Sequence, residues 1–141
     1  MRWLLASLCL AGCVAPLPPP FRDFQAPASW RPEQLAVLQE ALREAGWEPR
    51  PGPVVHSLST HPRRIAGALL YRVEGYVELV AIDSQRVRLY VHAYRYHLWG
   101  RSRIGYLSAA LSRNVAEPIE RALRRRGFVL TPYELKPITI E

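Results

Sequence analysis

Gly75-Tyr76-Val77-Glu78-Leu79-Val80-Ala81-Ile82-Asp83-Ser84-Gln85-Arg86-Val87-Arg88-Leu89-Tyr90-Val91-His92-Ala93 alternates apolar and polar side chains on either side of Asp83-Ser84-Gln85. A period of two is the pattern of a strand with one buried face. Before the interruption, Leu69, Tyr71, Val73, Val77, Leu79 and Ala81 share a face, and Arg72, Glu74, Tyr76 and Glu78 share the other. After it, Val87, Leu89, Val91 and Ala93 oppose Arg86, Arg88, Tyr90, His92, Tyr94 and Tyr96. A three-residue loop pairs Ile82 with Arg86, sets Val77 opposite Val91 and sets Tyr76 opposite His92. A slip of one residue would turn every apolar side chain to the wrong face. The spacing therefore predicts an antiparallel hairpin over about 68–98, in that register or one shifted by two.

Trp99-Gly100-Arg101-Ser102 reads as a second turn, leading into a short strand through Ile104 and Tyr106. Leu107, Leu111, Val115, Ile119, Ala122 and Leu123 then keep helical spacing up to Gly127. Pro118 kinks this helix or marks a restart capped by Asn114, with Glu117 three residues on. Phe128-Val129-Leu130 suggests a last strand, and 131–141 a loose tail. Upstream, Pro32 and Glu33 open a helix whose apolar face is Leu35, Leu38, Leu42 and Ala45, and Gly46 ends it. Val54-Val55 is the expected core of another short strand. The expected fold is α+β: a small antiparallel sheet, centred on the hairpin, with two helices packed on one face.

The 141 residues suit one domain plus a leader, and no apolar run is long enough to span a bilayer. Lys and Arg number 19 against 12 acids, a net charge of +7, and only Lys136 is not arginine. Residues 50–113 hold ten arginines against Glu74, Glu78 and Asp83, so the positive charge belongs to the sheet and its connections.

The two cysteines, Cys9 and Cys13, both lie in the first thirteen residues. Arg2 followed by the apolar Trp3–Leu10 stretch reads as the start of an export signal. Leu10-Ala11-Gly12-Cys13 resembles the lipobox of bacterial lipoproteins. That resemblance implies cleavage after residue 12 and acylation of Cys13, leaving a mature chain with no free thiol. Val14, where an Asp would signal inner-membrane retention, points to the outer membrane on its periplasmic side. Residues 13–31, with Pro16, Pro18, Pro19, Pro20 and Pro27, read as an extended tether with a reach of roughly 50 Å at ~3.1 Å per residue. The domain is then expected over 32–141.

Arg72, Tyr76, Arg86, Arg88, Tyr90, His92, Tyr94 and Tyr96 fall together on the polar face of the hairpin. Flat rings spaced two residues apart stack on sugars, and guanidinium groups hold carboxylates or phosphates. This is the candidate binding face. In an exported protein its partner is an envelope polymer such as peptidoglycan, or an envelope protein complex, and not nucleic acid. The alternative use is that of a protein-binding subunit of an outer-membrane assembly or secretion complex. Metal ligation and catalysis are not expected. His56/His61 and His92/His97 fall on opposite strand faces, Glu74 and Glu78 are too far apart to act as a pair, and no serine has the setting of a nucleophile. No cofactor is implied. Arg124-Arg125-Arg126 suits the negative end of a helix dipole and is a second candidate anionic-ligand patch.

Leu38–Pro49 followed by Val55-His56, then Gly75–Leu79, Arg88–His92, and Gly127-Phe128-Val129 to Pro132-Tyr133-Glu134, resemble the CsiV-like peptidoglycan-binding proteins of the Gram-negative periplasm. The resemblance implies association with peptidoglycan and an accessory role in wall synthesis.

Overall fold

The computed structural model describes residues 17–132, so the leader, Cys13 and residues 133–141 lie outside the described residues. The fold is α+β, an open antiparallel sheet with two helical segments. Its centre is the expected hairpin, β5 (Tyr71–Ala81) and β6 (Arg86–His97). Tyr76 pairs with His92 and Val77 with Val91, while the Ile82 N–H donates to the Arg86 carbonyl at 2.9 Å. Asp83 closes the loop by accepting from the Gln85 and Arg86 N–H groups at 2.8 and 2.9 Å.

Among the described residues the sheet has eight strands, more than the sequence suggested. The end of the hairpin near Asp83 is flanked by β3 (Ser57–Thr60) on β5 and β1 (Phe21–Gln25) on β6. The other end is flanked by β4 (Arg63–Ala68) and β7 (Gly100–Ile104). β2 (Pro49–Pro51) extends one edge beside β3, and β8 (Val129–Thr131) extends the other beside β1.

Val77, Leu79, Val87 and Leu89 are fully buried and form one cluster with Leu38 and Leu42 of α1 (Leu35–Glu44) and with Val115, Ile119 and Leu123. Those last three sit on a second helical segment: α2 (Ala109–Leu111), a π turn (Ser112–Ala116) and α3 (Glu117–Arg124). α1 and α3 end alike. Gly46 and Gly127 take positive φ values of 86° and 88°. The next N–H, of Trp47 or Phe128, reaches back to the carbonyl of Leu42 or Leu123, which satisfies the last turn and drives a large aromatic into the core.

The structure corrects several expectations. Phe21–Gln25 is not tether but a strand held between β6 and β8, so the folded body begins well before residue 32. Its alternation is hidden because Arg22 points to the helix side, where it meets Glu120, while Phe24 plugs the core from the same side. Val54 and Val55 are exposed in a turn, not a strand. Ser57 Oγ accepts from the Val54 N–H and donates to its carbonyl, which curls the chain there. Leu69 is exposed because a turn at Leu69-Leu70 opens a separate β4–β5 hairpin, whereas Tyr71 shares the face of Val73 and Val77 but lies at its uncovered end. α1 starts at Leu35, not Pro32. The second helical segment is capped by Ser108, not Asn114. Its π turn, in which the Glu117 N–H reaches Ser112, resets the ladder just ahead of Pro118, which has no N–H to give.

Candidate functional site: the uncovered face of the hairpin

All eight residues of the expected binding face lie on one side of the sheet, opposite the helices. The cross-strand rows are Arg72–Tyr96, Glu74–Tyr94, Tyr76–His92 and Glu78–Tyr90, with Arg88 and Arg86 beyond them. Among the described residues no helix covers this face. Neighbouring strands add residues that the sequence reading did not include. β1 brings Phe21 beside Tyr90 and Asp23 beside Arg88, and β7 brings Arg103 beside Tyr94 and Arg101 beside Tyr96. Phe21 and Asp23 were hidden in the proline-rich stretch. Arg101 and Arg103 follow from the second hairpin once its register is known.

The middle of the face is an aromatic row. The Tyr76 and His92 rings stack at 4.6 Å with 16° between planes, Tyr90 lies 6.1 Å from His92, and Phe21 lies 6.1 Å from Tyr90. His92 Nε2 sits 3.1 Å from Glu78 Oε2, which fixes the imidazole in the stack. Partial burial pushes the Tyr76 phenol above its usual value, with Glu78 and Tyr94 adding to the shift and Arg103 and Arg50 opposing it. Tyr76 is therefore a neutral hydroxyl donor at ordinary pH.

The arginines divide into two groups. Arg88 grips Asp23 through two bonds, of 2.6 and 2.9 Å, which raises its pKa further above the ordinary arginine value, and it lies 4.1 Å over the Phe21 ring. Arg86 is held by Asp83 at 2.8 Å and Arg72 by Glu74 at 2.7 Å. These three already have carboxylate partners. Arg101, 5.1 Å over the Tyr94 ring, and Arg103 are in no ion pair among the described residues. The groups positioned for an incoming anion are thus those on β7 rather than Arg86 and Arg88.

Pro62, Glu74, Gly75, Tyr76, Tyr94, Tyr96 and Arg101 line a cleft of about 190 Å³ on this face. It offers ring surfaces, one carboxylate and one guanidinium, the set that binds a polar ring with hydroxyl and carboxyl substituents. A wider groove of about 1330 Å³ runs between β1 and the second helical segment. Much of its charge is internally matched, Arg22 and Arg124 to Glu120 and Arg88 to Asp23. The Arg125 and Arg126 side chains both clamp Glu44 of α1, so this basic run braces two helices. Among the described residues no cluster of His, Cys, Asp and Glu could hold a metal ion. No family model, curated protein or solved structure matches the chain.

Proposed function

We propose that the chain is a lipoprotein of the outer membrane, anchored through Cys13 and facing the periplasm, whose uncovered sheet face binds peptidoglycan or a similar envelope polymer without catalysing a reaction. The observation that carries the binding role is the cleft between Tyr76, Tyr94 and Tyr96, with Glu74 and Arg101 at its rim, on a face that no described helix covers. The lipobox at Leu10–Cys13 and the resemblance to CsiV-like proteins support the compartment and the polymer.

Sedimentation with purified sacculi tests the binding. The parent protein is expected to pellet with them, and Tyr94→Ala with Tyr96→Ala is expected to weaken binding at any salt concentration. At ~0.5–1.5 kcal/mol per stacked ring, the loss is roughly two- to tenfold for each ring. Arg101→Ala with Arg103→Ala should matter mainly at low salt, because exposed charges are screened over about 8 Å at physiological ionic strength. Parent protein that stays in the supernatant would overturn the polymer reading and leave the protein-binding subunit as the better account. Cys13→Ala is expected to abolish fatty-acid labelling and leave the precursor uncleaved.

A further inference from the structure

Two hairpin turns stand side by side at the end of the sheet remote from Asp83. Tyr71 pairs with His97, so the Leu69-Leu70 turn of β4–β5 and the Leu98-Trp99 turn of β6–β7 are neighbours. Their side chains are apolar and bare: Leu69 is 98% exposed, Trp99 91%, Leu98 78% and Leu70 67%. Such a concentration of large apolar groups on two adjacent tips marks an interaction surface. The surrounding charge is mostly positive, the nearest carboxylate, Glu74, being paired with Arg72. Residues 63–73 and 95–106 contain six arginines and no Asp or Glu. Tryptophan and leucine at the tip with arginine behind them is the arrangement that suits the boundary between acyl chains and anionic headgroups.

The path of the chain toward Cys13 gives an independent reason. Followed backward, β1 runs alongside β6 toward the same tips as far as Pro20, whose carbonyl accepts from the Val91 N–H at 2.9 Å, and the Pro18 carbonyl then accepts from the Leu107 N–H at 3.1 Å. Pro20 is seven positions from Cys13, and Val91 seven positions from Leu98. At ~3.4 Å per residue both spans are at most about 24 Å, so Cys13 reaches no farther than the level of the tips. We infer that the Leu69-Leu70 and Leu98-Trp99 turns dock into the surface of an anionic lipid bilayer, beside the lipid anchor and acting as a second membrane contact. This rests on the lipoprotein reading for its geometry, while the tips themselves are argued from exposure and charge.

Trp99 reports on this directly, because Trp30 and Trp47, at 4% and 3% exposed, are buried. The mature protein is mixed with vesicles containing phosphatidylglycerol, and tryptophan emission is followed with acyl-brominated lipid and with aqueous iodide. Docking predicts quenching by the brominated lipid, loss of iodide quenching and a blue shift, all absent in Trp99→Ala. Leu69→Ser with Leu98→Ser is expected to diminish them, and vesicles of neutral lipid to give less. Mass spectrometry of the N-terminal fragment reads acylation separately. An unacylated chain whose Trp99 is still protected keeps the tips and removes the anchor. An acylated, vesicle-bound chain whose Trp99 stays fully open to iodide overturns the docking, as does protection that requires an added protein instead of lipid.

Discussion

Arg22 sits on the helix side of a strand, where its guanidinium donates to Glu120 at 2.6 Å and to Ser112 at 2.5 Å. Glu120 is buried and also accepts from Arg124. One arginine thereby ties β1 to two turns of the second helical segment. Arg22→Met is expected to cost about 1–3 kcal/mol, since it leaves a nearly buried carboxylate short of a donor. Adding Glu120→Leu should recover much of that loss, because removing both partners also removes the desolvation cost. Urea denaturation midpoints of the three variants check this. Two exposed carboxylates set a pH response. Glu44 is held below its ordinary 4.5 by the Arg126 and Arg125 side chains, against a partial desolvation, and Asp83 below its ordinary 3.8 by the Gln85 N–H and Arg86. A lowered folded-state pKa means stability that is fully present above these ordinary values and is lost as pH falls through the lower folded ones. Thermal melts should therefore be flat from neutral pH to about 5 and decline below 4, with Glu44→Gln shrinking the decline.

The central hairpin is the element that the sequence shows most clearly. Leu79 and Val91 are buried and share the face that meets the helices. An aspartate at either position buries an unpaired charge and is expected to cost several kcal/mol, enough to unfold a domain of this size. Tyr76→Asp, on the other face, loses one ring stack and should cost about 1 kcal/mol. Comparable thermal shifts at the two faces would contradict the placement of the core. Gly75 is a more severe test of the same hairpin. A Cβ there would lie 2.3 Å from the His92 carbonyl oxygen and 2.9 Å from Ile65, and backbone cannot swing aside. Gly75→Ala is expected to destabilise by about 1–3 kcal/mol or more, and to disturb the Tyr76–His92 stack above it.

The register was readable to within a shift of two, because only then do both apolar sets reach one side, and the fold takes the one that the three-residue loop sets, with Val77 opposite Val91. β1 was not readable. Proline upstream mimics a tether, and Arg22 breaks the alternation for the sake of a partner that lies 98 residues away. β4 was missed for a related reason. Arg63-Arg64 begins it, a bulge lies between Arg64 and Ala66, and the turn after it consists of two leucines where polar residues or glycine are usual. The eight face residues could be listed from period alone. Which arginines are already satisfied depends on Asp23, Asp83 and Glu74, whose positions only the folded sheet reveals.

At the scale of the whole molecule the hairpin is unevenly supported. Near Asp83 it rests on both helical segments and on β1 and β3, whereas beyond Ala93 it has only β4 and β7 beside it, with Arg95 and His97 exposed. Amide hydrogen exchange should therefore be slowest at Val77–Val80 and Val87–Val91. It should be clearly faster at Tyr71–Val73 and Arg95–His97, although these too are paired. Uniform protection along both strands would mean that the far end is covered by something other than its neighbouring strands.

Phe24 faces Leu130 across β1 and β8, and Gln25 faces Val129. This pairing joins the first described strand to the last, so most of the described residues lie inside the loop that it closes. Local elements such as the β5–β6 hairpin can form within microseconds, but this ladder must wait for a large loop to close. A chain emerging N-terminus first therefore keeps the Phe24 side of β1 unmatched until Phe128–Thr131 arrives. Until then the β8 edge of β1 stays open, so the two helical segments and the central hairpin can assemble before the sheet is complete.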